Sequence, residues 1–272
     1  DESSSFLISM YVRMVLRRVS YVAVLGESFR RLFNGLIASN RVAVVPNGID
    51  WPAVQKPARE RHKPHRHRIL HLSTLSRLKG ALVLLAAIPM VLKIRQDVEF
   101  ILAGPWLNED DRREAEFFIS HHGLSGHVVF TGPVSSLEHK RSIYSSADLF
   151  VFPGLQQEGQ PLVVLEAMAS GLPVLFTDRG CLRDTVIERE CGLEVRSNDP
   201  QHLADRLLWC LDHPEEVKRM GQSARERFER SYTSEQLVQC LGDLFTLASG
   251  RCSPPFRVSR VGLVSDQKPG SR

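Results

Sequence analysis

The sequence predicts an α/β fold built on a doubly wound, parallel sheet, and three observations predict it. From residue 69 onward, short apolar runs alternate with helical patterns, and turn residues mark each change. The runs are mostly apolar on both faces, as strands of a parallel sheet covered on both sides are. Five or six such units are too few to close an eight-fold barrel, which leaves an open sheet. Right-handed crossovers then bring the ligand-facing loops to the carboxyl ends of the strands.

In chain order, residues 6–19 read as a basic amphipathic helix. A strand at 21–25, a helix near 27–37 and a strand at 41–45 follow, the last ending in the turn tripeptide Pro46-Asn47-Gly48. Residues 51–68 are rich in proline and charge and read as a linker. Strands are expected at 69–72, 98–103, 127–131, 149–152, 173–176 and 193–195. The intervening helices fall near 80–95, 109–122, 136–146, 161–171 and 181–188, and polar helices follow at about 200–212, 214–230 and 234–249. The expected organisation is therefore the end of one domain (1–50), a basic linker (51–68), a complete domain (69–232), a C-terminal helix (233–250) and a disordered tail (251–272). A chain that starts at Asp1 inside a helical pattern reads as a fragment or a processed product.

Composition narrows the function classes. Hydrophobic residues at 43% and charged residues at 24% match an ordinary globular protein. No apolar run reaches the ~18 to 20 residues of a membrane-spanning helix, and no secretory pattern is present. The net charge of +4 is concentrated in residues 59–68, RERHKPHRHR; broken by Pro57 before it and Pro64 within it, this reads as a solvated linker. The absence of interleaved aromatics there argues against nucleic-acid binding. Cys181, Cys191, Cys210, Cys240 and Cys252 are odd in number and scattered, so they suggest neither a disulfide framework nor a zinc site, and a reducing cytosol suits them. His121 and His122 precede Gly123 at a helix end, where a cation favours the dipole.

The segment 158–171, EGQPLVVLEAMASG, carries the most chemistry. Pro161 suits the first position of a helix and Gly171 the position just past its end. The turn would present the backbone N–H groups of 159–163 (Gly159, Gln160, Pro161, Leu162, Val163) at the carboxyl edge of the sheet, where a phosphate is favoured. Glu158 before the turn and Glu166 inside the helix could accept hydrogen bonds from two pairs of vicinal hydroxyls, one on a sugar and one on a ribose. A solvated loop charge and a surface helix charge account for the same two residues equally well. Against that second account, Glu166 is the only charge in VVLEAMA and calls for a partner.

The pattern EGQPLVVLEAMASGLPVLFTD closely resembles the signature of the large retaining glycosyltransferase family of GT-B fold (family 4, group 1). VAVVPNGID at 42–50, ILHLSTLSRLKG at 69–80, FILAGP at 100–105, VVFTGPV at 128–134 and ADLFVFP at 147–153 resemble further motifs of that family, in its order. The resemblance implies that Lys79 meets the donor's phosphates and that Glu158, at the catalytic centre, holds hydroxyls of the transferred sugar. It implies that Gly159, Gln160, Pro161 and the following amides of Leu162 and Val163 face sugar and phosphate. Glu166 would bind the ribose, and Val134 would contact the base through its backbone. Residues 1–50 become the remnant of an acceptor-binding Rossmann-like domain, and 69–232 the nucleotide-sugar domain.

One departure stands out: Ser73 and Thr74 occupy the positions of the family's glycine and arginine, and Arg77 is the candidate substitute. The resemblance further implies transfer of a hexose from a nucleoside-diphosphate sugar to a glycan or lipid-linked acceptor with retention. No metal or cofactor is implied, and the setting is cytoplasmic, compatible with peripheral contact at the membrane face. Three other readings remain: a non-catalytic nucleotide-binding fragment, another GT-B enzyme such as a sugar-nucleotide epimerase or a phosphorylase, and, with less to favour it, a two-carboxylate glycoside hydrolase.

Overall fold

The structure, a computed structural model, describes residues 2–52 and 66–250. Most of the expected linker, at 53–65, and all of the expected tail, at 251–272 with Cys252, lie outside the described residues. The chain divides into two compact units, one of residues 1–48 with 232–272 and one of residues 49–231.

The larger unit holds six strands: β3 His67–Leu72, β4 Val98–Ala103, β5 Val128–Gly132, β6 Leu149–Phe152, β7 Val174–Thr177 and β8 Gly192–Val195. All pair in parallel, in the order β5-β4-β3-β6-β7-β8. Chain order thus runs outward from β3 in one direction and from β6 in the other, making the β3/β6 junction the topological switch point. Strand alternation sends Ile69, Phe100, Val151 and Leu175 to one face, where α3 (Ala81–Leu92) and α8 (Pro200–Asp212) pack together. Phe150 points to the other face and meets Tyr144 of α5 (Leu137–Ser146). There α6 (Leu162–Ala169) packs on α9 (Pro214–Ser231). Phe100, Phe150, Phe152 and Phe176 are fully buried, which is why the strands read as continuous apolar runs.

Short polar residues start several of the helices. Asn108 accepts from the Asp111 amide at the head of α4 (Glu109–His121), Ser136 from His139 at α5, and Asp199 from His202 at α8. Each such cap contributes about 1 kcal/mol by satisfying an otherwise orphan N–H.

The smaller unit contains α1 Glu2–Arg18, β1 Val22–Val24, α2 Glu27–Arg30, β2 Val42–Val44 and α10 Ser234–Ala248. The two strands pair in parallel, Val22 opposite Val42, and Ala43 and Val45 pack with Cys240 and Leu244 of α10. The C-terminal helix therefore shares a compact unit with the first 48 residues. The helix expected near 27–37 is shorter than expected: α2 is one turn, followed by a 3-10 turn at Arg31–Phe33. Its N-cap, Gly26, offers no side-chain acceptor, and Gly35 at φ 73° turns the chain away.

Candidate functional site

At the switch point, two loops leave the sheet side by side. The loop after β3 runs from Ser73 to Gly80, and the loop after β6 runs from Pro153 to Pro161. The Leu155 N–H donates to the Leu78 carbonyl at 2.9 Å and ties them together. Gly80, at φ 86°, lies so close to Pro153 that a Cβ would overlap its carbonyl oxygen, so only glycine serves here.

This contact sets the backbone of Lys79 beside the second loop. Lys79 Nζ donates to Glu158 Oε1 at 2.5 Å, and Gln156 Nε2 donates to the same oxygen at 2.9 Å. Lys79 Nζ also lies 6.0 Å from the centroid of the Phe152 ring. Glu158 Oε2 has no protein donor among the described residues. From the far side, the loop after β7 clamps the Glu158 turn: Gly180 N–H donates to Gln157 Oε1 at 2.8 Å and Cys181 N–H to the Gly159 carbonyl at 3.2 Å. Burial pushes the Cys181 thiol up to about 12, so this sulfur stays protonated and is a poor nucleophile.

Beneath Lys79, the fully buried His71 bridges the switch point. Its Nδ1 lies 2.9 Å from the Val151 carbonyl, which only accepts, so this nitrogen carries the proton. Nε2 then accepts from Ser73 Oγ at 2.9 Å. Desolvation first, with the nearby charge of Lys79 adding, pushes His71 down to about 4 against the opposing Val151 bond.

Pro161 sits one position earlier than expected. It is the N-cap of α6, with φ −62° and ψ 124°, and Leu162 is the first helical residue. Having no N–H, Pro161 contributes no amide, so the exposed helix-start donors come from Leu162 and Val163. Gln160 turns inward, its Nε2 donating to Thr185 Oγ1 at 3.0 Å, and it is buried.

Further along α6, Glu166 is held from both sides. Lys140 Nζ donates to Oε1 at 2.8 Å. The Tyr144 hydroxyl lies 3.0 Å from Oε2 and 2.9 Å from the Val163 carbonyl, with one proton to serve the two acceptors. Burial, with Glu166 adjacent, raises the Tyr144 phenol well above its ordinary range and keeps it a donor. Behind the helix, Trp51 Nε1 donates to Ser170 Oγ at 2.9 Å, which donates to the Glu166 carbonyl at 2.8 Å. Trp51 also stacks edge-to-face on Tyr144 at 5.5 Å.

The structure thus brings Lys79 to Glu158, and Glu158 to the head of α6. Val134 is half-buried in the loop that leads to the Ser136 cap of α5. Arg77 goes elsewhere: its guanidinium pairs with Glu114 at 2.5 Å, and its backbone N–H donates to Asp111. Thr74 is exposed. Lys140, Tyr144, Gln156, Trp51 and His71 were not anticipated. The isolation of Glu166 in an apolar helix signalled that a partner was needed, but nothing in the sequence pointed to Lys140.

Among the described residues, no group of three or more His, Cys, Asp or Glu side chains is placed to hold a metal. A depression of about 740 Å³ lies at the amino ends of the strands, lined by His67, Asp148, Pro173, Lys218 and Arg225. It faces away from the ligand-facing edge of a parallel sheet and contains none of the expected residues.

A family model described as glycosyl transferases group 1 matches residues 55–227, more than half of the chain. The chain belongs to this family. Among group 1 relatives, the phosphatidyl-myo-inositol mannosyltransferase of Mycolicibacterium smegmatis is 30% identical over 202 residues, covering 72% of this chain and 50% of the relative. The D-inositol 3-phosphate glycosyltransferase of Corynebacterium urealyticum is 32% identical over 226 residues, covering 76% and 52%. The chain spans about half the length of the curated relatives it matches. A crystal structure of Anabaena Alr3699/HepE in complex with UDP and glucose matches with a TM-score of 0.73 at 19% identity, covering 88% of this chain and 66% of that one. At that identity the likeness speaks for the fold, which is GT-B.

Proposed function

We propose that this group 1 chain is the donor-binding part of a retaining hexosyltransferase that moves a sugar from a nucleoside-diphosphate sugar to an acceptor hydroxyl. The observation that carries this reading is the Lys79–Glu158 pair at the switch point, beside the head of α6. In this reading Lys79 and the Leu162 and Val163 amides take the diphosphate, and Glu158 uses its free oxygen for hydroxyls of the transferred sugar. Glu166 accepts the ribose hydroxyls, and Val134 lies along the base. Departure of the diphosphate leaves positive charge on the sugar and negative charge on the leaving group. Preorganised donors at Lys79 and the head of α6 stabilise the negative charge without a metal, and the carboxylate of Glu158 offsets the positive one. No residue of this unit is assigned as a nucleophile.

The relatives' names include inositol-phosphate and phosphatidylinositol acceptors, which supports a polar glycan or lipid-linked acceptor for this protein. No helix among the described residues is long and apolar enough to cross a membrane. Helix α1 exposes Ile8, Tyr11, Val12 and Val15 along one stripe beside Arg18, which supports peripheral contact with an anionic membrane face and a cytoplasmic setting. A second reading, a nucleotide-binding module without turnover, is favoured by Thr74 and by the commitment of Arg77 to Glu114.

A panel of UDP-, GDP- and ADP-sugars tests the reading. One of them is expected to raise the melting temperature of the chain, and the native gene product is expected to form an α-linked glycoside from an α-linked donor, read by NMR. Failure of every nucleotide to stabilise the chain would sink the donor site. An inverted product would sink the retaining assignment.

A further inference from the structure

Lys140 brings to the proposed donor site a charge that lies outside the family motifs quoted above. It projects from α5, one turn after the Ser136 cap, and its ammonium reaches across to Glu166 of α6 at 2.8 Å. The carboxylate is nearly buried, with 9% of its side chain exposed, whereas Lys140 keeps 28% exposed. The pair therefore lies with the carboxylate inward and the ammonium outward, at the edge that a ligand would reach.

The hydrogen-bond inventory of this pair is incomplete in a particular way. An ammonium has three N–H donors, and Glu166 takes one of those of Lys140. The carboxylate has about four acceptor positions, and Lys140 and Tyr144 fill one on each oxygen. Two donors and two acceptor positions remain side by side. A hydroxyl both donates and accepts, so a carboxylate alone satisfies only half of it. Two neighbouring hydroxyls, each donating to Glu166 and accepting from Lys140, complete both sets. A vicinal diol matches this arrangement, and a single hydroxyl leaves one donor and one acceptor unmet.

We propose that Lys140 is a nucleoside-binding residue, which holds Glu166 with one N–H and offers the others to the ribose diol of the donor nucleotide, so that the site selects ribose over 2′-deoxyribose. The proposal rests on the donor-site reading above. It adds a residue and a selectivity to that reading. Loss of the 2′-hydroxyl would strand one N–H of Lys140 beside a nearly buried carboxylate, and a site built to bond a hydroxyl discriminates strongly against its absence.

Calorimetric titration of the 272-residue chain with UDP, GDP and ADP identifies the nucleotide that binds most tightly. Its 2′-deoxy form is then titrated against wild type, Lys140→Met and Lys140→Arg. Wild type is expected to prefer the ribonucleotide by about tenfold or more, the weight of one hydrogen bond to a charged group. Lys140→Met should lose most of that preference by weakening the ribonucleotide alone, and Lys140→Arg should restore much of it. An unchanged preference in Lys140→Met overturns the proposal, as does equal weakening of both nucleotides. Wild type that binds without preferring ribose also overturns it while leaving the donor site standing. Wild type that binds no nucleotide removes both. Far-UV circular dichroism establishes that each variant is folded, and Lys140→Ala is titrated in the same way if Lys140→Met is not.

Discussion

Among the described residues of the larger unit are two lysine–glutamate pairs, and they are built differently. In the first, Lys79 and Gln156 both donate to Oε1 of Glu158, and its second oxygen is left without a protein donor among the described residues. In the second, Lys140 and Tyr144 take one oxygen of Glu166 each, while Trp51 and Ser170 brace the helix from behind. The first pair joins two loops, and the second joins two helices. A carboxylate with one oxygen free suits a group that must follow a changing substrate. A carboxylate gripped on both oxygens suits recognition of a part that does not change. The nucleoside stays the same during transfer, whereas the bond to the sugar breaks.

The largest effect should come from separating these roles. Glu158→Gln is expected to reduce sugar transfer by about a hundredfold or more, the scale of losing one preorganised partner at a reacting centre. Its affinity for the free nucleoside diphosphate should stay or tighten, because Lys79 is released from the pair. Glu166→Gln should show the opposite balance, a weaker nucleotide with turnover at saturation largely kept. Comparison of kcat and KM for the two variants checks this, and identical profiles would erase the distinction.

A second effect concerns the foundation of the first pair. His71 is pushed down to about 4 in the folded protein, below its unfolded value near 6.5. The unfolded chain therefore binds the proton first as pH falls. The stability from keeping His71 neutral is fully present above pH 6.5 and is lost between pH 6.5 and 4, about 3 kcal/mol in all. Urea titrations at pH 7 and pH 4.5 should show a steeper loss in wild type than in His71→Leu. Parallel losses would mean that this imidazole is not buried as described.

The smallest effect tests the grip on Glu166. Tyr144→Phe removes the one proton shared by Glu166 and the Val163 carbonyl and should cost about 1 to 2 kcal/mol in a urea melt. Ribonucleotide affinity should fall with it. A loss of stability with no change in affinity would make Tyr144 a packing residue only.

Much of this was legible before the coordinates. The apolar strands from residue 69 could only be buried on both faces, so the parallel sheet and its ligand-facing edge followed from composition and period. The expected helix at 27–37 failed because local periodicity persisted past residues that do not support a helix, with no cap at Gly26 and a left-handed Gly35. Pro161 was misplaced by one residue, within the ordinary uncertainty of a helix boundary, and in either position it supplies no amide to the site.

Spacing within a short segment, as in Glu158 and Glu166 on either side of one helix start, is set by local geometry and is readable from the sequence. So are the single positions, such as Lys79 before a helix, where charge and dipole meet. The choice of partner is different. That Arg77 goes to Glu114, that Lys140 comes to Glu166 from 26 residues away, and that His71 stands neutral beneath Lys79 were decided by how α4, α5 and β6 pack around their neighbours. A side chain's charge is written in the sequence, but its free energy depends on burial and on the opposite charge within reach. Both of those are properties of the tertiary structure alone.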